Sequence, residues 1–381
     1  MLQMPARQIY VDPDVYERPN CRRRFERMRA FIDCEGVQEL DETAREEIRG
    51  IGMRRHGKDD FADDAVFVFR TYEEDQGQRY FHYRDGRSYL TDRGIHCQSA
   101  MELNSIFGCA FRCAYCGFGR CVDITLDIER ILLNLPDVFS RYPNQRLYKY
   151  SNMTDLPAFE PEYDGVLPMV RRFAQEQNRY LMLFTKSDNV EFLLDADHGG
   201  QTIISWSLSS ATVSREIDRW AATMEERIEA MRRCQDAGYI VRARLSPIVP
   251  VRDWQREYRR LFETMFEKVS PDLVTLEMLG WFDFDDLPEM LSRELLDQKA
   301  YSAAEAAQDE MRGHQKSPFP HDVRRAIYEF CIDEVKRISP ATPVSICHGT
   351  PRMWEELGEK LGMHPPDFVC NCGPMSTPPR T

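Results

Sequence analysis

The sequence predicts an α/β fold: a closed or partial β/α barrel of the (β/α)6 type, between a small α+β extension and a C-terminal segment. Two observations carry this expectation. From residue 95 onward, short apolar runs alternate with amphipathic helical stretches at intervals of roughly 30–40 residues, the rhythm of right-handed βαβ crossovers. Six or more such units suffice for a barrel, whose active site lies at the C-terminal ends of the strands. The chain has 381 residues, 42% hydrophobic and 30% charged. That composition is globular and fits one large domain or two to three smaller ones. The expected boundaries are 1–94 for the extension, 95–350 for the barrel and 351–381 for a C-terminal helix and tail.

The elements follow in order. A basic stretch, Cys21–Arg29, precedes a helix at Asp41–Ile51. Within Asp63–Asp92, Ala65–Arg70 and Tyr80–Arg84 read as strands, with a turn signalled by Asp85-Gly86. The barrel strands are Met101–Ile106, Leu147–Ser151, Tyr180–Thr185, Thr202–Ser207, Tyr239–Leu245, Leu273–Met278 and Pro343–Cys347. The clearest helix is Thr223–Ala237. Thr223 and Glu226 make a capping box, Met224, Ile228, Met231 and Cys234 share a face, and Gly238 ends it. Trp254, Tyr258, Leu261 and Met265 pattern the next helix. The Pro- and Gly-rich tail from Pro365 reads as a surface segment with incidental cysteines, Cys370 and Cys372.

The twelve cysteines are the unusual entry in the composition. In a cytosolic chain of this size they more often serve metals or redox chemistry than disulfides. No run of about 18 apolar residues exists, so no membrane span is expected. The first twenty residues lack a signal-peptide pattern, so the expectation is cytoplasmic. With 50 Lys+Arg against 63 Asp+Glu the net charge is −13, which argues against nonspecific nucleic-acid binding.

Cys109, Cys113 and Cys116 stand at C-x3-C-x2-C spacing after the first barrel strand. Three thiolates on one loop can hold a [4Fe–4S] cluster and leave one iron open. Gly108 and Gly117 let the loop backbone approach such a cluster. The alternative is structural zinc with Cys121 as fourth ligand. Cys121 otherwise reads as a hydrogen donor, an auxiliary ligand or a plain free thiol.

With Phe111 and Tyr115 between them, these cysteines resemble the signature of the radical S-adenosylmethionine enzymes. The segment from about 147 to 280 resembles the spore photoproduct lyase branch. It carries Tyr148–Asp155, Leu183–Val190 with Thr185-Lys186, Ser205-Trp-Ser207, Glu225–Ala230 and Ser246-Pro-Ile248. The resemblance implies that S-adenosylmethionine binds the open iron and is cleaved by one electron to a 5′-deoxyadenosyl radical. It implies an external reductant of flavodoxin or ferredoxin type, beside which a small-molecule substrate is expected. It assigns Lys186 to the cosubstrate carboxylate, Ser207 and Thr154 to hydroxyl hydrogen bonds, Asp155 to shaping the site, and Asn152 and Tyr115 to the cosubstrate surroundings.

Two departures matter. Photoproduct lyases carry a hydrogen-donating cysteine just ahead of the hydroxyl–Asp pair, where this chain has Asn152, and an aromatic residue after the last cluster cysteine, where it has Gly117. An amide N–H is too strong a bond to replace a thiol. The expectation is therefore the same radical-generating core with a different substrate, a small polar or nucleotide-derived metabolite. DNA-lesion repair and a zinc-stabilised binding protein are the competing readings. Substrate candidates are Arg242 and Arg244, two apart on one strand, with Glu277, Lys149 and the strand-end His348. Cys370 or Cys372, folded over the barrel mouth, would replace the missing donor.

Overall fold

The structure, a computed structural model, describes residues 1–51, 65–313 and 317–378. Residues 63 and 64 of the predicted Asp63–Asp92 segment lie outside it. An eight-stranded sheet dominates, and its spatial order is the order of the strands in the chain. The strands are Phe81–Arg84, Ala100–Leu103, Leu147–Tyr150, Tyr180–Thr185, Thr202–Ser207, Ile240–Ile248, Val274–Met278 and Val344–Ile346. Seven are mutually parallel, and Phe81–Arg84 closes one edge antiparallel. Helices Ile128–Arg141, Val166–Ala174, Met224–Asp236, Trp254–Lys268 and His321–Ile338 fall between the parallel strands. Adjacent parallel strands cannot be joined by a short turn and need such crossovers. Among the described residues no helix is long and apolar enough to cross a membrane.

The helix Met224–Asp236 begins with the expected capping box between Thr223 and Glu226. Three expectations need correction. The run Met101–Ile106 splits into Ala100–Leu103 and Ile106–Phe107. The Ser151 hydroxyl accepts the Ser105 amide at 2.9 Å and turns the chain. Ile106–Phe107 then pairs antiparallel with Cys121–Thr125 in a second, five-stranded sheet. That sheet also contains Gln8–Val11, Val37–Glu39 and Val66–Arg70. Asp85-Gly86 starts a helix, Gly86–Arg93, instead of a hairpin turn, because the Asp85 carboxylate accepts the Arg87 amide as an N-cap.

The third correction concerns the tail. It is lodged on one face of the large sheet and is not a surface segment. Arg242, fully buried, donates to the carbonyl of Asn371 at 2.7 Å and to that of Ser376. The Ser205 hydroxyl donates to the Asn371 side chain at 3.0 Å, and the Tyr180 hydroxyl to the Pro378 carbonyl at 2.6 Å. The rings of Phe368 and Trp354 meet at 4.6 Å. Asp272 neutralises Arg242 from the side at 2.9 Å.

Arg242→Met keeps the volume but removes the guanidinium that Asp272 and two carbonyls accept from. It is expected to cost about 2–4 kcal/mol in urea denaturation and to open the tail to limited proteolysis. Unchanged stability and an equally resistant tail would contradict this role.

Candidate functional site

The loop after Ile106–Phe107 is built to carry three thiols. Gly108 has a φ of +94°, and a Cβ there would strike the Cys121 carbonyl, so only glycine fits. Arg112, buried, donates to the Gly119 carbonyl at 2.6 Å and braces the loop from within. Arg112–Cys113 pairs antiparallel with Asp218–Arg219. The amides of Phe111 and Phe118 point at the sulfurs of Cys109 and Cys116, each at 3.4 Å.

All three cysteines line one cavity of about 670 Å³ with Tyr115, Asn152, Thr154, Asp155, Lys186 and Ser207. The structure thus gathers every residue that the resemblance assigned to cluster and cosubstrate. Burial pushes the Cys109 thiol up and the Cys113 thiol to about 12, with Lys186 pulling Cys113 back down. Such thiols deprotonate readily only toward a metal. Thr154 Oγ1 and Asn152 Oδ1 are buried without a partner among the described residues. Three thiols and two orphaned polar atoms in one cavity fit a thiolate-held iron–sulfur cluster with a polar cosubstrate beside it.

The residue that sequence reasoning missed is Asp218, fully buried. One carboxylate oxygen accepts from Lys186 Nζ at 2.7 Å and from the Tyr115 hydroxyl at 2.6 Å. The other accepts from Ser209 at 2.8 Å and from Arg227 at 3.0 Å. Burial works against the carboxylate, but Lys186 and Arg227 outweigh it and hold Asp218 well below its usual range. Burial likewise opposes the Lys186 charge, and Asp218 more than restores it. Lys186 therefore already has an anionic partner, and its ammonium also reaches Tyr115 and, at 3.7 Å, Cys113. No spacing signal marks Asp218, because it sits in an irregular segment after the strand Thr202–Ser207.

Asp155 joins two strand ends. It accepts from the Thr185 hydroxyl at 2.8 Å and from the Lys186 amide at 2.5 Å. Burial raises it to about 6 despite these bonds.

A second cavity of about 620 Å³ adjoins the first and shares Asn152, Phe184 and Arg244 with it. Its lining includes Lys149, His348, Cys97, Cys347, Cys370 and Cys372. The substrate candidates are heavily paired here. Lys149 meets Glu102 at 2.6 Å. Glu277 accepts from Arg244, Ser246 and His348, each at 2.6 Å. Arg242 serves the tail instead of an open anion site. Cys372 is held on the thiolate side by a hydrogen bond from Cys370, with burial opposing and Lys149, Arg84 and Arg244 assisting. Cys121 lines neither cavity; it packs beside Val66 and Val68 in the small sheet. A third cavity, of about 880 Å³, is lined by His82, Tyr83, Arg84 and Tyr89 and also by Asn152 and Met153.

Comparisons with known proteins converge. The family model described as "Spore photoproduct lyase" matches residues 98–282. The spore photoproduct lyase of Bacillus subtilis (strain 168) is 25% identical over 299 residues, 71% of this chain and 77% of that one. The spore photoproduct lyase of Geobacillus sp. (strain Y412MC61) is 22% identical over 288 residues, with the same coverage of 71% and 77%. Among solved structures, a spore photoproduct lyase double mutant with bound AdoMet and dinucleoside spore photoproduct superposes with a TM-score of 0.66. It does so at 15% identity, covering 91% of this chain and 98% of that one. At that identity the superposition speaks for the fold alone.

Two outcomes are expected of the site. Asp218→Asn leaves Lys186 and Arg227 buried with half their compensation and should cost about 3–5 kcal/mol in denaturation of the protein. For Asp155, the folded value near 6 lies above the unfolded value of about 3.9, so its stabilising share is complete below about pH 4 and disappears as pH rises through 6. Asp155→Asn should remove up to about 3 kcal/mol of that pH-dependence, read as the difference between denaturation at acidic and neutral pH.

Proposed function

Since the chain is a radical S-adenosylmethionine protein of the spore photoproduct lyase branch, we propose that it abstracts a hydrogen atom from a nucleobase-bearing substrate. The chain is an enzyme of that class, and its cofactors are a [4Fe–4S] cluster and S-adenosylmethionine. The zinc-stabilised binding protein falls with that placement. When bound, the two cofactors supply one-electron cleavage of the sulfonium C5′–S bond and a carbon radical that takes the hydrogen. An external one-electron reductant is required.

One observation carries the substrate reading. The cavity lined by all the assigned cofactor residues shares Asn152 and Met153 with the third cavity, which Tyr83, Tyr89, His82 and Arg84 also line. Aromatic faces beside a guanidinium suit a flat base and its phosphate. In this reading Cys109, Cys113 and Cys116 hold the cluster. Thr154 and Asn152 offer the cosubstrate their unpartnered oxygens, and Ser207 and Tyr115 border it. Lys186 keeps the Cys113 side of the loop positive and lines the cavity in which the cosubstrate carboxylate would sit. Residues 95–350 form the core as a partial barrel, between an extension at 1–94 and a C-terminal part at 351–381. Thiols that serve a cluster and a low-potential reductant favour a cytoplasmic setting.

The likeness to lyases that bind a dinucleoside photoproduct favours a second reading, repair of a DNA lesion. It also weakens the expectation, drawn from net charge, that nucleic acid is no partner. Against it stands Asn152, which supplies no thiol where that branch keeps its hydrogen donor.

The test is anaerobic, reduced enzyme with S-adenosylmethionine and a panel of deuterated nucleosides, nucleotides and the dinucleoside photoproduct. Deuterium in 5′-deoxyadenosine from a nucleoside or nucleotide supports the leading reading. Transfer from the photoproduct with restored thymine establishes repair, and Asn152→Cys should then raise the repaired yield severalfold. Deuterium from none of the panel, with 5′-deoxyadenosine still formed, would overturn both.

A further inference from the structure

Four thiols from three distant parts of the chain share the second cavity: Cys97, Cys347, Cys370 and Cys372. Cys97 precedes the strand Ala100–Leu103, Cys347 follows the strand Val344–Ile346, and the other two lie in the tail. Their convergence is built into the backbone. The His96 amide donates to the Gly349 carbonyl at 2.8 Å, so the first segment is tied to the loop after Cys347. The Gln98 side chain donates to the Phe368 carbonyl, so it is also tied to the tail. The Cys370 amide donates to the Ser376 hydroxyl at 2.9 Å, and Arg242 and Ser205 hold Asn371 between the two tail cysteines. Gly373 is packed so closely against Gln98 and the Cys370 sulfur that a Cβ would collide with them.

We propose that Cys97, Cys347, Cys370 and Cys372 ligate a second, four-thiolate iron–sulfur cluster in the cavity adjoining the S-adenosylmethionine site. Four cysteine ligands are the complete set for such a cluster. A single zinc ion is the competitor, and spacing separates the two. Four sulfurs on one tetrahedral zinc lie about 3.8 Å apart. Among the described residues, the one His/Cys/Asp/Glu group of three with ligand atoms all within 4.8 Å is Glu277, Cys347 and His348. The four thiols are not gathered that tightly, and neither are Cys109, Cys113 and Cys116, which serve a polynuclear cluster. In the tight group, Glu277 is already committed to Arg244, Ser246 and His348.

Charge agrees with this assignment. A cluster held by four thiolates is anionic, and Arg84, Lys149 and Arg244 line the cavity. Arg84 already donates to the Cys372 sulfur at 3.7 Å. Donors of that kind stabilise a thiolate-bound cluster. The proposal moves Cys370 and Cys372 from hydrogen donors to metal ligands, and it accounts for a tail packed by buried arginine instead of left on the surface.

The test counts metal on the full chain, reconstituted anaerobically with iron and sulfide. Wild type should hold about eight iron and eight sulfide per chain, and Cys347→Ala/Cys372→Ala about four of each. Cys109→Ala/Cys113→Ala/Cys116→Ala should keep about four, with an electron paramagnetic resonance signal that S-adenosylmethionine does not perturb. Wild type with only about four iron, an iron content unchanged in Cys347→Ala/Cys372→Ala, or about one zinc without sulfide in the triple variant would each overturn it. Failure of the proposed function reads differently, as missing deuterium transfer with the iron count intact.

Discussion

The buried carboxylate of Asp218 is the constraint on which the site depends. It binds Lys186 from one strand end, Ser209 beyond the next, Arg227 from a helix and Tyr115 from the cysteine loop. Four chain segments are thereby fixed to one group. Asp218 is also the residue paired in register with Cys113, so the position of that sulfur follows from this ion cluster. A buried charge is costly when alone, and Asp218 is tolerated because two cations and two hydroxyls satisfy it. Removing any partner exposes the rest to that cost, which makes the arrangement cooperative. The geometry of the cavity is held by electrostatics at the strand ends more than by the apolar core beneath.

A second buried charge organises the opposite part of the sheet. Arg242 sits in the strand Ile240–Ile248, whose Val241, Ala243 and Leu245 pack into the core. Its side chain points to the other face, where the tail supplies carbonyls and Asp272 supplies charge. Ser205 on the neighbouring strand meets the same tail. The polar positions within these strands thus become intelligible as a bed for residues 368–378. The bed places Cys370 and Cys372 over the cavity and keeps them beside Cys347.

Legibility in the sequence followed the range of the interactions. Tyr180–Thr185 and Thr202–Ser207 appear as predicted, since a strand buried on both faces reads as a continuous apolar run. The capping box at Thr223 and Glu226 is local and was equally readable. The C-x3-C-x2-C loop was readable because its three thiols lie within eight residues of one another. Asp218 carries no such mark: its partners come from four segments, and an Asp in an irregular stretch looks like any turn residue. The tail reads as a surface segment because composition reports Pro and Gly content and not the buried arginine that receives it. Cys97 and Cys372 are 275 positions apart, and no periodicity connects residues at that distance.

Net charge illustrates the same point in electrostatic terms. A value of −13 is a sum over the whole chain, whereas screening confines a charge on the surface to roughly 8–10 Å. What a substrate meets is the local set. Around the two adjoining cavities that set is Arg84, Lys149, Arg244, Lys186 and Arg227, against Glu102, Glu277, Asp218 and Asp155. The cations outnumber the carboxylates there, and Glu102, Glu277 and Asp218 are each buried against a cation. The acidic residues in surplus elsewhere lie on exposed helices such as Glu42–Ile51, where they face solvent. An acidic protein can therefore carry a site suited to phosphates, thiolates and an anionic cosubstrate, and the partner is set by the arrangement of charge at the cavity mouth instead of by the total.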